Sequence, residues 1–309
     1  MRSPFAQVVI LATAGLLAGG DQMHAQAPVP GVNAESSCPP SSASNDKRPF
    51  DPETSVAGVT FSGFLRMPVS AQDEIAASIT EQTSGAASPD EVTEVTEVTE
   101  EALEVAKRGW QDHGYFKVQA NGYAKTLAST SAGRRIALSI HVDEGLQYRL
   151  GGITFKNNIL INSVEALRGL FPIEDGEVFN RGKIATGLDN LSKAFGEMGY
   201  IRFTSVPETR FDDEKNLIYL DVDMDEGKQF YVAGISVLGL DDTTRAKVLQ
   251  DFLLQPGQIY NSRLVQLSLR KQGSTLPGCS CPDRPALALD EKAGLVTLTF
   301  DFRPCPGGN

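Results

Sequence analysis

One phrase occurs twice in this chain with its surroundings intact. Val142-Asp143-Glu144-Gly145 returns as Met224-Asp225-Glu226-Gly227. Each copy runs into a strand-like stretch, Leu150-Gly151-Gly152-Ile153-Thr154-Phe155 and Val232-Ala233-Gly234-Ile235-Ser236-Val237. An earlier stretch, Val56-Ala57-Gly58-Val59-Thr60-Phe61, has the same pattern. A period of about 80 residues is too long for a solenoid repeat and suits a small domain. Such a chain folds as a string of like modules, each with its own core. Strings of this kind serve binding and scaffolding, whereas catalytic constellations seldom come in tandem copies.

The second unit, residues 146–227, is the clearest. A strand is expected at Tyr148 to Phe155. Ser163 opens a short helix with Val164, Leu167, Leu170 and Phe171 on one face. Pro172 and Gly176 break it. Asn180 caps a longer helix, whose Ile184, Leu188, Leu191, Ala194, Phe195 and Met198 follow steps of three and four. Phe179 stands where a staple residue packs back on that helix. Gly199 ends it, where a left-handed residue is wanted. Ile201 to Phe211 and Leu217 to Met224 then form a hairpin, the second strand alternating Ile218, Leu220, Val222 and Met224 with polar residues. The order is strand, helix, helix, strand, strand.

The third unit, 228–305, repeats this order. It has a strand at Gln229 to Val237, a helix at Thr243 to Leu254 and a helix capped by Asn261 with Leu264, Leu267 and Leu269 apolar. A hairpin turns at 290–294. Here a Cys-, Gly- and Pro-bearing loop, Lys271 to Pro282, is expected where the second unit has Gly199-Tyr200. The first unit, 55–145, is looser. It has a strand near Val59, helices at Ala71 to Gln82 and Asp90 to Asp112, and strands at Phe116 to Leu127 and Arg134 to Val142. Its low-complexity run Glu91 to Thr99 suits a solvated helix start.

Ahead of the modules, Arg2, an apolar stretch from Val8 to Leu17 and a small-x-small phrase at Ala25-Gln26-Ala27 read as a signal peptide over residues 1–27. The apolar stretch is shorter than the ~20 residues of a spanning helix. Residues 28–54, with six prolines among Ser and Asn, read as a disordered linker. The net charge of −11 opposes binding to nucleic acid or to an anionic membrane surface. Export makes a disulfide permissible among Cys279, Cys281 and Cys305. A zinc site there has weak support, since no histidine lies nearby.

The unit pattern resembles the polypeptide-transport-associated (POTRA) domain. The matching residues are Gly176-Glu177-Val178-Phe179-Asn180 and Gly257-Gln258-Ile259-Tyr260-Asn261 before the second helix. Gly114-Tyr115 and Gly199-Tyr200 follow that helix, and Glu144-Gly145 and Glu226-Gly227 end the last strand. The resemblance implies an α+β fold of tandem β-α-α-β-β domains, each with two helices packed on a three-stranded mixed sheet. It also implies a periplasmic location beside an outer-membrane β-barrel. Unfolded client polypeptides would then be bound by strand addition at a sheet edge, which demands little of side chains. The expected edges are Ile201 to Phe211 and Phe116 to Leu127, with Ile201, Phe203, Ser205, Phe116 and Val118 as contact residues. Pro207 fits an edge position. No run of ~10-residue alternating strands follows the third unit. The expectation is therefore an accessory to a separately encoded barrel.

An enzyme finds little support. His113 and His141 lie in no metal- or triad-like phrase, and there is no phosphate loop or dinucleotide fingerprint. Neither a catalytic residue nor a cofactor is expected. Asp221, Asp223 and Asp225 alternate along a strand and read as a solvated strand end. The alternative readings are a periplasmic scaffold of an envelope or division complex, and an exported hydrolase or metal protein built on Cys279, Cys281 and the acids.

Overall fold

The computed structural model describes residues 8–9, 53–83, 91–130, 133–161, 163–275 and 284–303. Apart from Val8 and Val9, the expected signal peptide and linker up to residue 52 lie outside the described residues, as do Cys279, Cys281 and Cys305.

Three modules follow one another, each strand-helix-helix-strand-strand. The first consists of β2 (Glu53–Ser62), α1 (Val69–Gln82), α2 (Glu91–Asp112), β3 (Gln119–Thr130) and β4 (Gly133–Asp143). The second is β5 (Arg149–Lys156), α3 (Val164–Arg168), α4 (Arg181–Glu197), β6 (Thr204–Asp212) and β7 (Leu217–Asp225). The third is β8 (Tyr231–Leu238), α5 (Asp242–Asp251), α6 (Ser262–Thr275), β9 (Ala286–Asp290) and β10 (Leu295–Asp301). A two-residue strand, β1 (Val8–Val9), adds to β6 and makes the middle sheet four-stranded.

In every module the last strand is central, parallel to the first and antiparallel to its hairpin partner. That follows from the pattern: the last strand alternates apolar and polar residues and buries one side, as Ile218, Leu220, Val222 and Met224 do in β7. The small-residue phrase shared by the three first strands has a common role. Ala57, Gly151 and Ala233 each form a bulge, skipped in the pairing with β4, β7 and β10.

The helices carry their caps where the residues place them. Ser163 Oγ accepts from Ala166 N–H, and Asn180 Oδ1 accepts from Lys183 N–H at 2.7 Å. Some expectations shift. Val164 is exposed, because α3 is too short to bury more than Leu167. In α6 Val265 is buried and Leu267 exposed, and the helix runs on to Thr275 through the first part of the expected loop. β2 begins at Glu53, two residues inside the expected linker.

The repeated Glu-Gly phrase now has a physical role. Glu144 is buried at the end of β4 and accepts from Arg66 N–H (2.6 Å), Met67 N–H (3.1 Å) and Trp110 Nε1–H (3.0 Å). Glu226 does the same after β7, accepting from Ile159 N–H (2.9 Å) and Leu160 N–H (3.0 Å). One carboxylate thus satisfies backbone donors of the loop after the first strand, and at Glu144 two of the donating residues, Met67 and Trp110, are buried. In the third module Asp301-Phe302 stands where the others have Asp-Glu, and the loop there folds on buried Phe302 instead.

Replacing Glu144 by Ala orphans three donors and should cost about 2–4 kcal/mol, with Glu144→Gln costing less because an acceptor oxygen remains. Trp110 is the sole tryptophan, so its emission during urea unfolding isolates the first module. An unchanged midpoint in the Ala variant would rule out this role for Glu144.

Candidate functional site

In the second and third modules the two edges of the sheet differ. The outer side of β5 is closed over its first half by the Gly-x-x-aromatic-Asn segment. Gly176 N–H donates to Leu150 O (2.7 Å), Leu150 N–H to Glu177 O (2.9 Å) and Phe179 N–H to Tyr148 O (2.9 Å). The third module repeats this through Gly257 N–H to Val232 O, Val232 N–H to Gln258 O and Tyr260 N–H to Phe230 O, at 2.7 to 2.9 Å. The side left without such cover is the first hairpin strand: β6 and β9.

Strand β6 carries further features. Pro207 lies in its middle, opposite Val222. A nitrogen without a hydrogen is tolerated where it faces away from the ladder. By the two-residue period, the N–H groups of Ser205 and Thr209 then face outward too. The backbone of Val8–Val9 pairs antiparallel at this edge, opposite Thr209 and Glu208. Beside the start of β6 is a cleft of about 710 Å³, walled by Val206, Thr204 and Ile159 and floored by the β7 end from Asp223 to Gly227. Along the helix-free face, Asp221 is tied to Thr154 and to Lys156 (3.3 Å), and Asp223 accepts from Asn157 Nδ2 (2.6 Å). The Thr154 hydroxyl, first, and then Lys156 hold the Asp221 carboxyl below the usual range. Among the described residues, no group of three His, Cys, Asp or Glu is placed to hold a metal.

The edge residues expected from sequence separate into two sets. Ser205 lies in β6, with Met224 as its partner. Phe203, Ile201, Phe116 and Val118 lie in the turns before β6 and β3, because those strands begin at Thr204 and Gln119. Phe203 stacks on Phe195 with centroids 4.1 Å apart, and Val118 is buried in the first core. Phe116 and Ile201 do something sequence reasoning missed: each packs into the core of the following module. The Phe116 ring meets Phe179 edge-on at 5.4 Å and Phe211 at 5.5 Å.

These pegs belong to a junction built twice from the same parts. Gly114 and Gly199 have φ of +86° and +89°. A Cβ at either would clash with the next module, at 2.8 Å from Tyr148 O for Gly114 and 2.7 Å from Ile259 Cγ2 for Gly199. Their carbonyls accept from the backbone N–H of Tyr148 (2.8 Å) and Phe230 (2.9 Å). Asn180 and Asn261 cap their own helices through Oδ1. Through Nδ2 they donate at 2.7 Å to Asp112 O and Glu197 O, at the end of the preceding module's helix. A basic residue follows each peg: Lys117 reaches Asp213 (2.8 Å), and Arg202 reaches Glu291 (3.1 Å), both acids lying on the next module's hairpin turn. The signal was in the sequence as Gly114-Tyr115-Phe116-Lys117 and Gly199-Tyr200-Ile201-Arg202, an apolar and a basic residue after each Gly-Tyr. Gly145 and Gly227, which by themselves allow free rotation, thus lie beside clamped joints.

With this geometry in view, similarity to known proteins can be placed. Residues 148–227 match the POTRA family model, "Surface antigen variable number repeat". The chain folds as a tandem array of POTRA-like modules, and the middle one carries the family match. The Haemophilus influenzae BamA POTRA3-5 crystal structure aligns with a TM-score of 0.57 at 20% identity, covering 82% of this chain and 97% of that one, a likeness of fold. In sequence, the "Putative outer membrane protein assembly factor" of Treponema pallidum (strain Nichols) is 30% identical over 55% of this chain and 21% of its own length. Outer membrane protein assembly factor BamA of Buchnera aphidicola subsp. Acyrthosiphon pisum (strain APS) is 26% identical over 53% of this chain and 26% of its own length. The match spans about a fifth to a quarter of these relatives' own length.

Two predictions test the joints. Hydrogen bonds from Lys117, first, and Tyr148 hold the Asp213 carboxyl below its usual range. A depressed carboxylate stabilises the fold above its unfolded pKa of about 3.9, and that contribution is lost as pH falls through the folded value. Contact between the first two modules should therefore weaken below about pH 4, and Asp213→Asn should remove this pH dependence in small-angle scattering of the full chain. Asn261→Ala removes a cap, worth about 0.5–2 kcal/mol, and the cross-module bond with it. It should broaden the scattering distance distribution, whereas an unchanged distribution would mean that the peg and ion pair suffice.

Proposed function

We propose that this chain is a non-enzymatic periplasmic binding protein that holds extended polypeptide segments at the β6 edge as an accessory of outer-membrane protein assembly. The observation that carries this reading is the edge itself. β6 turns the Ser205 N–H outward, borders a cleft, and pairs at Thr209 and Glu208 with an extended piece of the chain, Val8–Val9. Backbone pairing gives affinity for many sequences, as a protein handling diverse clients needs. Similarity to assembly factors supports the setting and an outer-membrane β-barrel as partner, and residues 1–27 would serve export.

A second reading, a periplasmic scaffold without a transport role, is favoured by the duplicated clamps, which suit a spacer of set shape. Affinity capture from a detergent-solubilised envelope separates the two. Recovery of an outer-membrane β-barrel supports the assembly role, and recovery of only inner-membrane or soluble periplasmic proteins supports the scaffold.

Ser205→Pro removes an outward N–H and leaves the β7 ladder in place. It should weaken binding of an extended valine-rich peptide at least tenfold, measured by fluorescence anisotropy, without changing the far-ultraviolet circular dichroism. Undiminished binding would reject the edge mechanism.

A further inference from the structure

The cleft beside β6 is asymmetric in a way that bare strand pairing does not require. Its walls are apolar and open: Ile159 is 79% exposed and Val206 50%. Its floor is acidic, with Asp223, Asp225 and Glu226 together. Thr204 and Val206 lie opposite Asp225 and Asp223 in the ladder, so all four belong to the helix-free face. Nearby cations are engaged elsewhere. Lys156 pairs with Asp221 (3.3 Å) and Glu208 (3.9 Å), Arg210 lies over the Tyr219 ring (4.6 Å), and Arg202 pairs with Glu291. Asp223 and Asp225 accept from neutral donors, Asn157 Nδ2 and Gly227 N–H, both through Oδ1.

The pairing of Val8–Val9 sets a direction. An antiparallel strand with Val9 opposite Glu208 runs C-terminally past Pro207 toward Val206 and Thr204. Residues two and four positions after the one at Val9 then stand opposite Val206 and Thr204. Directly opposed residues share a face, so their side chains project over the cleft. A side chain that suits apolar walls and an acidic floor has an aliphatic stem and a cationic head.

We infer that the cleft selects among strands bound at β6, taking a lysine or arginine that follows the apolar paired residues of an extended polypeptide. The stem lies between Ile159 and Val206, and the cation meets Asp223 and Asp225. Glu226 keeps Ile159 and Leu160 in place by holding their N–H groups. This inference rests on the strand-addition reading of the β6 edge, and it adds a side-chain preference to it.

The test uses the full chain and ten-residue fluorescent peptides of alternating valine and threonine, with one lysine moved along the sequence and norleucine as its neutral counterpart. Lysine should tighten binding about tenfold over norleucine at one or two positions in the C-terminal half only, and the gain should fade with added salt. Asp223→Asn with Asp225→Asn keeps the oxygens that accept from Asn157 and Gly227. It should abolish the lysine gain and leave norleucine-peptide binding unchanged. Equal binding of lysine and norleucine peptides at every position, or a lysine gain that survives in the double variant, overturns the preference while the edge reading stands. Failure of all peptides to bind, with the Ser205→Pro variant indistinguishable from the parent chain, overturns both.

Discussion

The geometry of the whole array depends on one backbone bond made twice: the carbonyl of a left-handed glycine at a helix end accepting the first strand N–H of the next module. It places the start of each following sheet against the preceding helix, and the remaining contacts gather around it. An asparagine couples helix start to helix end, an apolar peg enters the neighbouring core, and a basic residue reaches an acid on the next hairpin turn. The exposed ion pairs add little by themselves. The half-buried peg supplies area removed from water, and the backbone and asparagine bonds give direction. Because both joints use the same parts, each strand edge is carried in a repeated relation to the next.

This arrangement separates what holds the array from what it can offer to a partner. The Gly-x-x-aromatic-Asn segment serves the joint through its asparagine, and the same segment closes one edge of its sheet by pairing with the first strand. The uncovered edge is consequently the hairpin strand, whose Phe211 end meets the Phe116 peg. A segment added at β6 meets backbone donors in its middle and an acidic cleft at its end, and the joint need not open for it to bind. The third module departs from the others at two places tied to these roles. Phe302 replaces the loop-holding glutamate, and the Gly-Tyr-apolar-basic phrase is missing after α6.

Much of this was legible in the sequence, and the physical reason is local. Strand and helix periods, the caps at Ser163, Asn180 and Asn261, and the left-handed glycines depend on residues within a turn or two of one another. The burial of Leu188, Leu191 and Phe195 on one helical face needed nothing more. Two kinds of residue were misplaced. Phe203 and Val118 read as strand residues because apolar alternation continues through the turn before each strand. Phe116 and Ile201 read as edge contacts because exposure within one module was all that their spacing suggested. Their partners, Phe179 and Phe211 for the first and the third core for the second, lie in another module.

The sequence alone determined that this chain is a string of three like α+β modules and which strand carries the alternating core face. Those properties follow from periodicity and turn chemistry, which act over a few residues. The tertiary structure alone decided which sheet edge stays open, that the glycine-rich joints are clamped, and that Glu144 and Glu226 hold loops within their modules. Each of these depends on groups tens of residues apart meeting within hydrogen-bonding distance, as Asn180 meets Asp112 and Glu226 meets Ile159, and one-dimensional spacing does not encode such distances.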